Sequence, residues 1–470
     1  MTPFWLAASA LLSFAVGLLV VLLLWPGAPA RHLAVKIFLA AGLGQGVTSC
    51  VAFLYLLANG RLDRFYYTSE LFALAALLAG LLFKLRRRRE PAAPPVEGKV
   101  GQAGRGWLAV AFYAAAAAAL GAVLIDVWRM PYGGGWDAWA IYNLRARAIF
   151  RGGAEWREGF SALIGWSHPD YPLLLPLSVA RAWMYAGRET TAAPAMLGWL
   201  FTAATVGLLS SSVAALRGRS QGYLAGLVLL GFTFFIAHGS SQYADVPLMF
   251  FYTAAVVLFA LAGEAGSEGG RGGWLVLAGL AAGMAAWAKN EGALFIVAAG
   301  AAHLAVAARE GGLKRYFGEL RFVLTGLLPV LICVFYFKAR IAPPSELVEA
   351  MAGQTALRKL ADPSRHLLIA REFARRFLYY SGRGVNLAYV LLIYLSCLGL
   401  GREGPRRGAA FGAITLALML GGYYFVYLTT PYELAWHVKF SLDRVLLQLW
   451  PSLVFVFFLV AATPEETIAR

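Results

Sequence analysis

Apolar runs of about 17–26 residues recur along almost the whole chain, separated by short polar segments that collect arginine, glycine and proline. A helix rises about 1.5 Å per residue, so about 20 apolar residues cross a hydrocarbon core of about 30 Å. The pattern predicts an all-α polytopic membrane protein with about 13 spans. They fall near 4–25, 33–58, 66–85, 107–128, 191–216, 221–238, 246–263, 273–288, 292–308, 319–338, 385–401, 409–428 and 444–462. The first run has no Lys or Arg before it and is longer than a signal-peptide core, so it reads as a retained span despite Ala28-Pro29-Ala30.

Composition agrees: 60% of residues are hydrophobic and only 14% charged, against about a quarter charged in soluble domains. The formal charge of +16 lies in the loops rather than on one face. That distribution argues against a nucleic-acid partner and favours anionic membrane lipids and phosphate-bearing substrates. Cys50, Cys333 and Cys397 fall inside apolar runs at unrelated spacings and read as packing residues, not as a disulfide framework or zinc site. The Ala-, Gly- and Arg-rich wording resembles a bacterial genome, which suggests the inner membrane of a bacterium.

Basic short loops stay cytoplasmic, and Lys84 with Arg86 to Arg89 is the clearest. From that anchor, Arg217, Arg219, Arg271, Arg309, Lys314, Arg315, Arg402, Arg406 and Arg407 all fall inside, and residues 129–190 and 339–384 form two long outer loops. This frame requires that Tyr171 to Gly187 does not cross. Arg181 in its middle favours a half-depth or interfacial helix, with juxtamembrane helices expected in both outer loops. Four regions follow: 1–106, three leading spans and a basic cytoplasmic linker with Pro91, Pro94 and Pro95; 107–338, a transmembrane core with outer loop 129–190; 339–384, a basic outer loop; and 385–470, the C-terminal spans.

The candidate chemistry gathers on the outer side. Asp137 opens a helix between Trp136 and Trp139 after three glycines, where a carboxylate serves as a helix cap, a general base or a metal ligand. His168-Pro169-Asp170-Tyr171-Pro172 reads as a rigid turn or as substrate contacts. Asp245, two residues before Pro247, suits an N-cap, and Lys289 and Glu291 flank a helix-to-helix turn where both complement the dipoles. Their common side makes one polar site the economical reading, because ionisable groups at the end of a hydrophobic bundle are costly outside a wet cavity. Segment 339–384 carries eight basic and four acidic residues; Arg375, Arg376 and Arg383, beside Phe377 and Tyr380, suit a lipid phosphate or anionic headgroups. Arg444, placed at the start of the last span, opposes the helix dipole there and so points to an anion.

At these residues the chain resembles the GT-C class of polytopic glycosyltransferases, in the protein O-mannosyltransferase and lipid A aminoarabinose transferase branch. The likeness runs through about 107–310: the loop acid Asp137, the His168 to Pro172 turn, the Asp245 to Pro247 helix start and the Lys289 to Gly292 turn. It implies a catalytic first-loop acid and a sugar donor carried on a polyprenyl phosphate at the outer face. Two features depart from it: Ala138 stands where a second acid is common, so no cofactor is expected although a divalent metal is possible, and the three leading spans have no counterpart.

The implied reaction moves a sugar to a protein, lipid or glycan acceptor of the envelope. Asp137 would take the acceptor's proton, with His168, Asp170, Tyr171, Asp245 and Glu291 around the substrates and Lys289, Arg375, Arg376, Arg383 and Arg444 on the donor phosphate. The rival reading is a lipid or glycolipid flippase without transferase chemistry. Charges strung through the bundle at broken helices would favour transport, and charges gathered at a rim favour the enzyme.

Overall fold

The computed structural model describes residues 2–26, 32–87, 106–130, 134–264, 271–351, 353–379, 386–402 and 404–468. Ala28 to Ala30, Arg88 and Arg89, the proline-rich linker, Pro131 to Gly133, Tyr380 and Arg383 lie outside the described residues. The described residues are helical, without strands.

Three leading helices, α1 (Thr2–Leu24), α2 (Leu33–Asn59) and α3 (Tyr66–Arg87), precede α4 (Gly106–Arg129). The segment after it folds as a π-helical turn at Ala138–Tyr142, α5 (Asn143–Arg151), two short 3-10 turns and α6 (Leu174–Ala186). Next come α7 (Ala192–Arg217), α8 (Arg219–Leu230), α9 (Thr233–Ser241), α10 (Asp245–Glu264), α11 (Arg271–Ala288) and α12 (Glu291–Arg340). The second long loop holds α13 (Glu346–Glu349), α14 (Gly353–Leu360) and α15 (Pro363–Leu378). The chain then forms α16 (Leu387–Leu398), α17 (Arg406–Thr429), α18 (Leu434–Leu447) and α19 (Trp450–Val460).

Among the described residues, eight helices are long and apolar enough to cross a membrane, or ten when the bent pairs α8–α9 and α18–α19 each count as one. Not all of the expected 13 are among these. The expected spans near 292–308 and 319–338 are both present, as two helical arms of α12 that meet at a break at Gly311 and Gly312; the second arm folds back on the first, which brings Glu319 to 3.0 Å from His303 and Lys338 Nζ to 2.7 Å from Asn290 Oδ1. By contrast, α16 has only 12 residues, and α11 opens on Arg271 and is not among the eight. Gly312 makes the break with φ 69° and ψ −172°, a backbone that a Cβ disfavours. Gly312→Ala is expected to lower stability by about 1–3 kcal/mol, read as a lower melting temperature in detergent.

An all-round apolar helix is either central or lipid-facing, and both kinds occur. In α10, 94% of the most apolar stretch is buried inside the protein, against 6% in α3. One hydrophobic core runs from α1 and α2 through α6, α7, α10, α11 and α12 to α19, so the leading helices pack on the rest directly.

Residues 171–187 yield the 13-residue α6, about 20 Å long at 1.5 Å per residue, with Leu174 to Met184 buried throughout. The physical reason offered for its placement changes. Arg181 is not at an interface but is enclosed, 1% exposed, donating to both Glu70 carboxylate oxygens, to Ser9 Oγ at 2.8 Å and to the Ser9 carbonyl at 3.1 Å.

The basic loop is partly structural. Lys359 donates to the carbonyls of Thr429 and Thr430, and Arg365 to those of Tyr427 and Leu428. Together they cover the unpaired C-terminal carbonyls of α17, where cations are favoured.

Candidate active site

The C-terminal end of α11 and the start of α12 meet in a turn so close that a Cβ on Gly292 would lie 2.1 Å from the Ala285 carbonyl carbon. That contact explains the glycine of the Lys289 to Gly292 motif. It also brings Lys289 beside the first residue of α10: Lys289 Nζ lies 3.1 Å from Asp245 Oδ1 and 2.8 Å from Glu291 Oε1.

Asp245 is completely buried and does more than start a helix. Its Oδ1 also accepts from Gln448 Nε2 at 2.6 Å, and its Oδ2 from Arg444 NH2 at 2.7 Å and Nε at 3.2 Å. The remaining fork nitrogen of Arg444, NH1, lies 2.7 Å from Asp137 Oδ2. Asp137 stands before the π-helical turn without a side-chain capping bond, so its carboxylate is directed to Arg444 instead. One guanidinium thus holds two carboxylates from α10 and from the first long loop, a planar fork geometry that lysine cannot reproduce.

The ground given for Arg444 is corrected by the fold. The last element begins ten residues earlier than expected, at Leu434, and bends by 44° between α18 and α19. Arg444 therefore sits in the last turn of α18, where its charge agrees with the dipole. Its partners, rather than an opposed dipole, place it in the network.

The His168 to Pro172 turn docks on the same site from the side. Asn290, between Lys289 and Glu291, donates from Nδ2 to Asp170 Oδ2 at 2.8 Å and accepts from Lys338 Nζ at 2.7 Å. Lys338 also donates to the Asp170 carbonyl. His168 adopts φ 48° and stacks on Tyr171, with ring centroids 4.8 Å apart and planes 16° from parallel.

Electrostatics follow from burial and pairing. Burial pulls the Lys289 ammonium down, but Asp245 and then Glu291 outweigh it and hold it above its ordinary value, so it stays charged. Burial holds His168 below its ordinary 6.5 despite Asp170 and Asp137, so it is neutral at pH 7. Among the described residues, no three His, Cys, Asp or Glu converge as metal ligands.

Of the expected site residues, Asp137, Asp245, Lys289, Glu291 and Arg444 form one network, and Asp170 joins it through Asn290. Arg375 and Arg376 are not brought into it: their ion pairs are with Glu372 and, for Arg376, with Asp443 at 3.0 Å. Three network members were missed from the sequence, Asn290, Lys338 and Gln448. Gln448 had a signal, lying one turn beyond Arg444 on the same helix face. Lys338 is a charge at the end of an apolar run.

Comparison with known proteins falls on this network. Residues 173–336 match the family described as dolichyl-phosphate-mannose-protein mannosyltransferase, and the matched stretch holds Asp245, Lys289 and Glu291. No curated protein and no solved structure matches the chain. The match covers about a third of the chain, and together with the many apolar helices it supports a multi-pass membrane glycosyltransferase of the GT-C type.

Proposed function

We propose that this protein moves a sugar from a polyprenyl-phosphate donor to an envelope acceptor, at the outer face of a bacterial inner membrane. The observation that carries the reading is the Asp137–Arg444–Asp245 bridge, which fixes a part-exposed carboxylate over the core that matches a glycosyltransferase family.

In the reaction, an acceptor hydroxyl oxygen bonds to the anomeric carbon while the bond from that carbon to the phosphate oxygen breaks. The hydroxyl proton passes to Asp137, and the lipid phosphate leaves with the bonding electrons. Arg444 orients Asp137 and, with Lys289, faces the negative charge that develops on the leaving phosphate. Both cations are already paired, so they act by their fixed field rather than as free phosphate ligands. We assign no step to a metal: the position between Asp137 and Asp245 that a bridging cation would take holds a guanidinium. His168, Asp170 and Tyr171 are assigned to sugar contacts.

A transporter is disfavoured by where the charges lie. Among the described residues, outside the Glu70–Arg181 pair and Lys36, the paired charges gather at this end and at the opposite one, where Glu319 meets Arg271, His303, Arg315 and Arg407.

The test is to supply the purified protein in nanodiscs with polyprenyl-phosphate sugars and to compare the envelope glycans of a deletion strain with its parent by mass spectrometry. Release of polyprenyl phosphate with sugar transfer, and loss of one modification in the strain, are expected; translocation of the lipid without bond cleavage would refute the proposal. Arg444→Lys keeps the charge and loses the fork. It is expected to lower kcat about 10–100-fold, with little change in the donor KM.

A further inference from the structure

Beside the network lies a cleft of about 210 Å3, of which the reaction above uses only the wall that carries His168, Asp170 and Tyr171. One wall is the rigid turn with His168, Asp170 and Tyr171; the floor is Asn290; the other wall is the loop 343–349 and Tyr432. Tyr432 donates to Glu346 Oε2 at 3.0 Å, which ties that loop to the residues before α18. The lining alternates carboxylates, an amide and hydroxyls with aromatic faces. Such a mixture suits a polyol whose hydroxyls need both donors and acceptors and whose C–H faces need an apolar surface. Pockets for drug-sized ligands run to about 300–1,000 Å3, so this cleft is scaled to one monosaccharide ring rather than to a glycan chain or a lipid tail.

We propose that the cleft is the seat of a single pyranose ring and that Glu346 is its specificity residue, selecting neutral rings and rejecting anionic ones. The inference rests on the transferase reading above. The selectivity follows from charge. Asp170, Glu346 and Glu349 border the cleft; Lys338 is engaged by Asp170 and Asn290, and His168 is held neutral. A ring bearing a carboxylate would meet the like charges of Glu346 and Glu349, while Lys338 offsets only that of Asp170. Glu346 is exposed, so replacing it leaves the packed core intact. The ring is that of the donor or that of a glycan acceptor, since both present the same hydroxyls.

Saturation-transfer NMR on the full chain in nanodiscs tests this with methyl glucoside and methyl glucuronide, which differ only in a hydroxymethyl against a carboxylate. The wild type is expected to saturate the glucoside and not the glucuronide. Glu346→Gln and Tyr432→Phe are expected to weaken glucoside binding about tenfold, and Glu346→Gln with Glu349→Gln to admit the glucuronide. Competition by a polyprenyl-phosphate glucose, but not by polyprenyl phosphate alone, identifies the donor ring; a glucoside left in place by both identifies the acceptor ring. Equal binding of the two glycosides, no glucoside binding, or binding indifferent to Glu346→Gln overturns the proposal. Asp137→Asn should retain glucoside binding while losing transfer. A protein that binds glucoside but transfers nothing therefore refutes the function and not the cleft, and one that transfers without binding here refutes the cleft alone.

Discussion

Asp137→Asn is expected to lower sugar transfer by about 10²–10⁴-fold, the usual share of a positioned general base, while the protein reaches the membrane at wild-type abundance. The substitution keeps the shape of the side chain and an oxygen for Arg444 NH1, but an amide cannot take the acceptor's proton. Stability should hold because the side chain is 18% exposed and because Arg444 retains its two contacts with Asp245. The check is an initial-rate assay in nanodiscs, paired with a melting curve. Undiminished transfer by the mutant would remove Asp137 from the mechanism, and a collapsed melting curve would make it a structural residue. Asp245→Asn offers the contrast: with its carboxylate gone, Lys289 and Arg444 lose a buried partner, so both folding and activity should fall.

The second large effect is expected far from that network. Glu70→Ala should destabilise the protein by about 3–5 kcal/mol, the cost of leaving a buried ion without its partner. Arg181 is enclosed by Glu70 from α3 and Ser9 from α1, and Tyr66 and Tyr185 donate to the same carboxylate. Because α6 follows the His168 to Pro172 turn directly, loosening Arg181 should also blur that turn and reduce transfer. Arg181→Met with Glu70→Leu should recover much of the lost stability, since a packed apolar pair avoids burying any charge. A single Glu70→Ala mutant that melts with the wild type would mean that α1 to α3 are held by apolar packing alone.

The leading helices show where reading along the chain stops. Nothing near Glu70 hints at a partner 111 residues away, and Arg181 alone looked like a residue bound for the headgroups. Depth in a bundle is a property of neighbours, and a short helix wrapped by α1, α2 and α7 takes its charge inside with it. The two arms of α12 were legible as separate spans, because the polar stretch around Gly311 and Gly312 interrupts the apolar runs. Hydropathy is less exact about length: the run at α16 reads as 385–401, longer than the 12 residues of the helix.

The sequence by itself determined the membrane class, the approximate place of most long helices and the polar turns that hold Asp137, Asp170, Asp245, Lys289 and Glu291. Each of those is a local matter: hydropathy sums over about 20 neighbours, and a turn needs only its own glycines, prolines and caps. Only the tertiary structure decided which charge answers which. Arg444 lies 199 positions from Asp245, and their contact depends on the order, rotation and bend of helices that no local pattern encodes. The same holds for Asn290 and Lys338 around Asp170, because a hydrogen bond is made at about 3 Å while a sequence specifies only the length of chain between its ends.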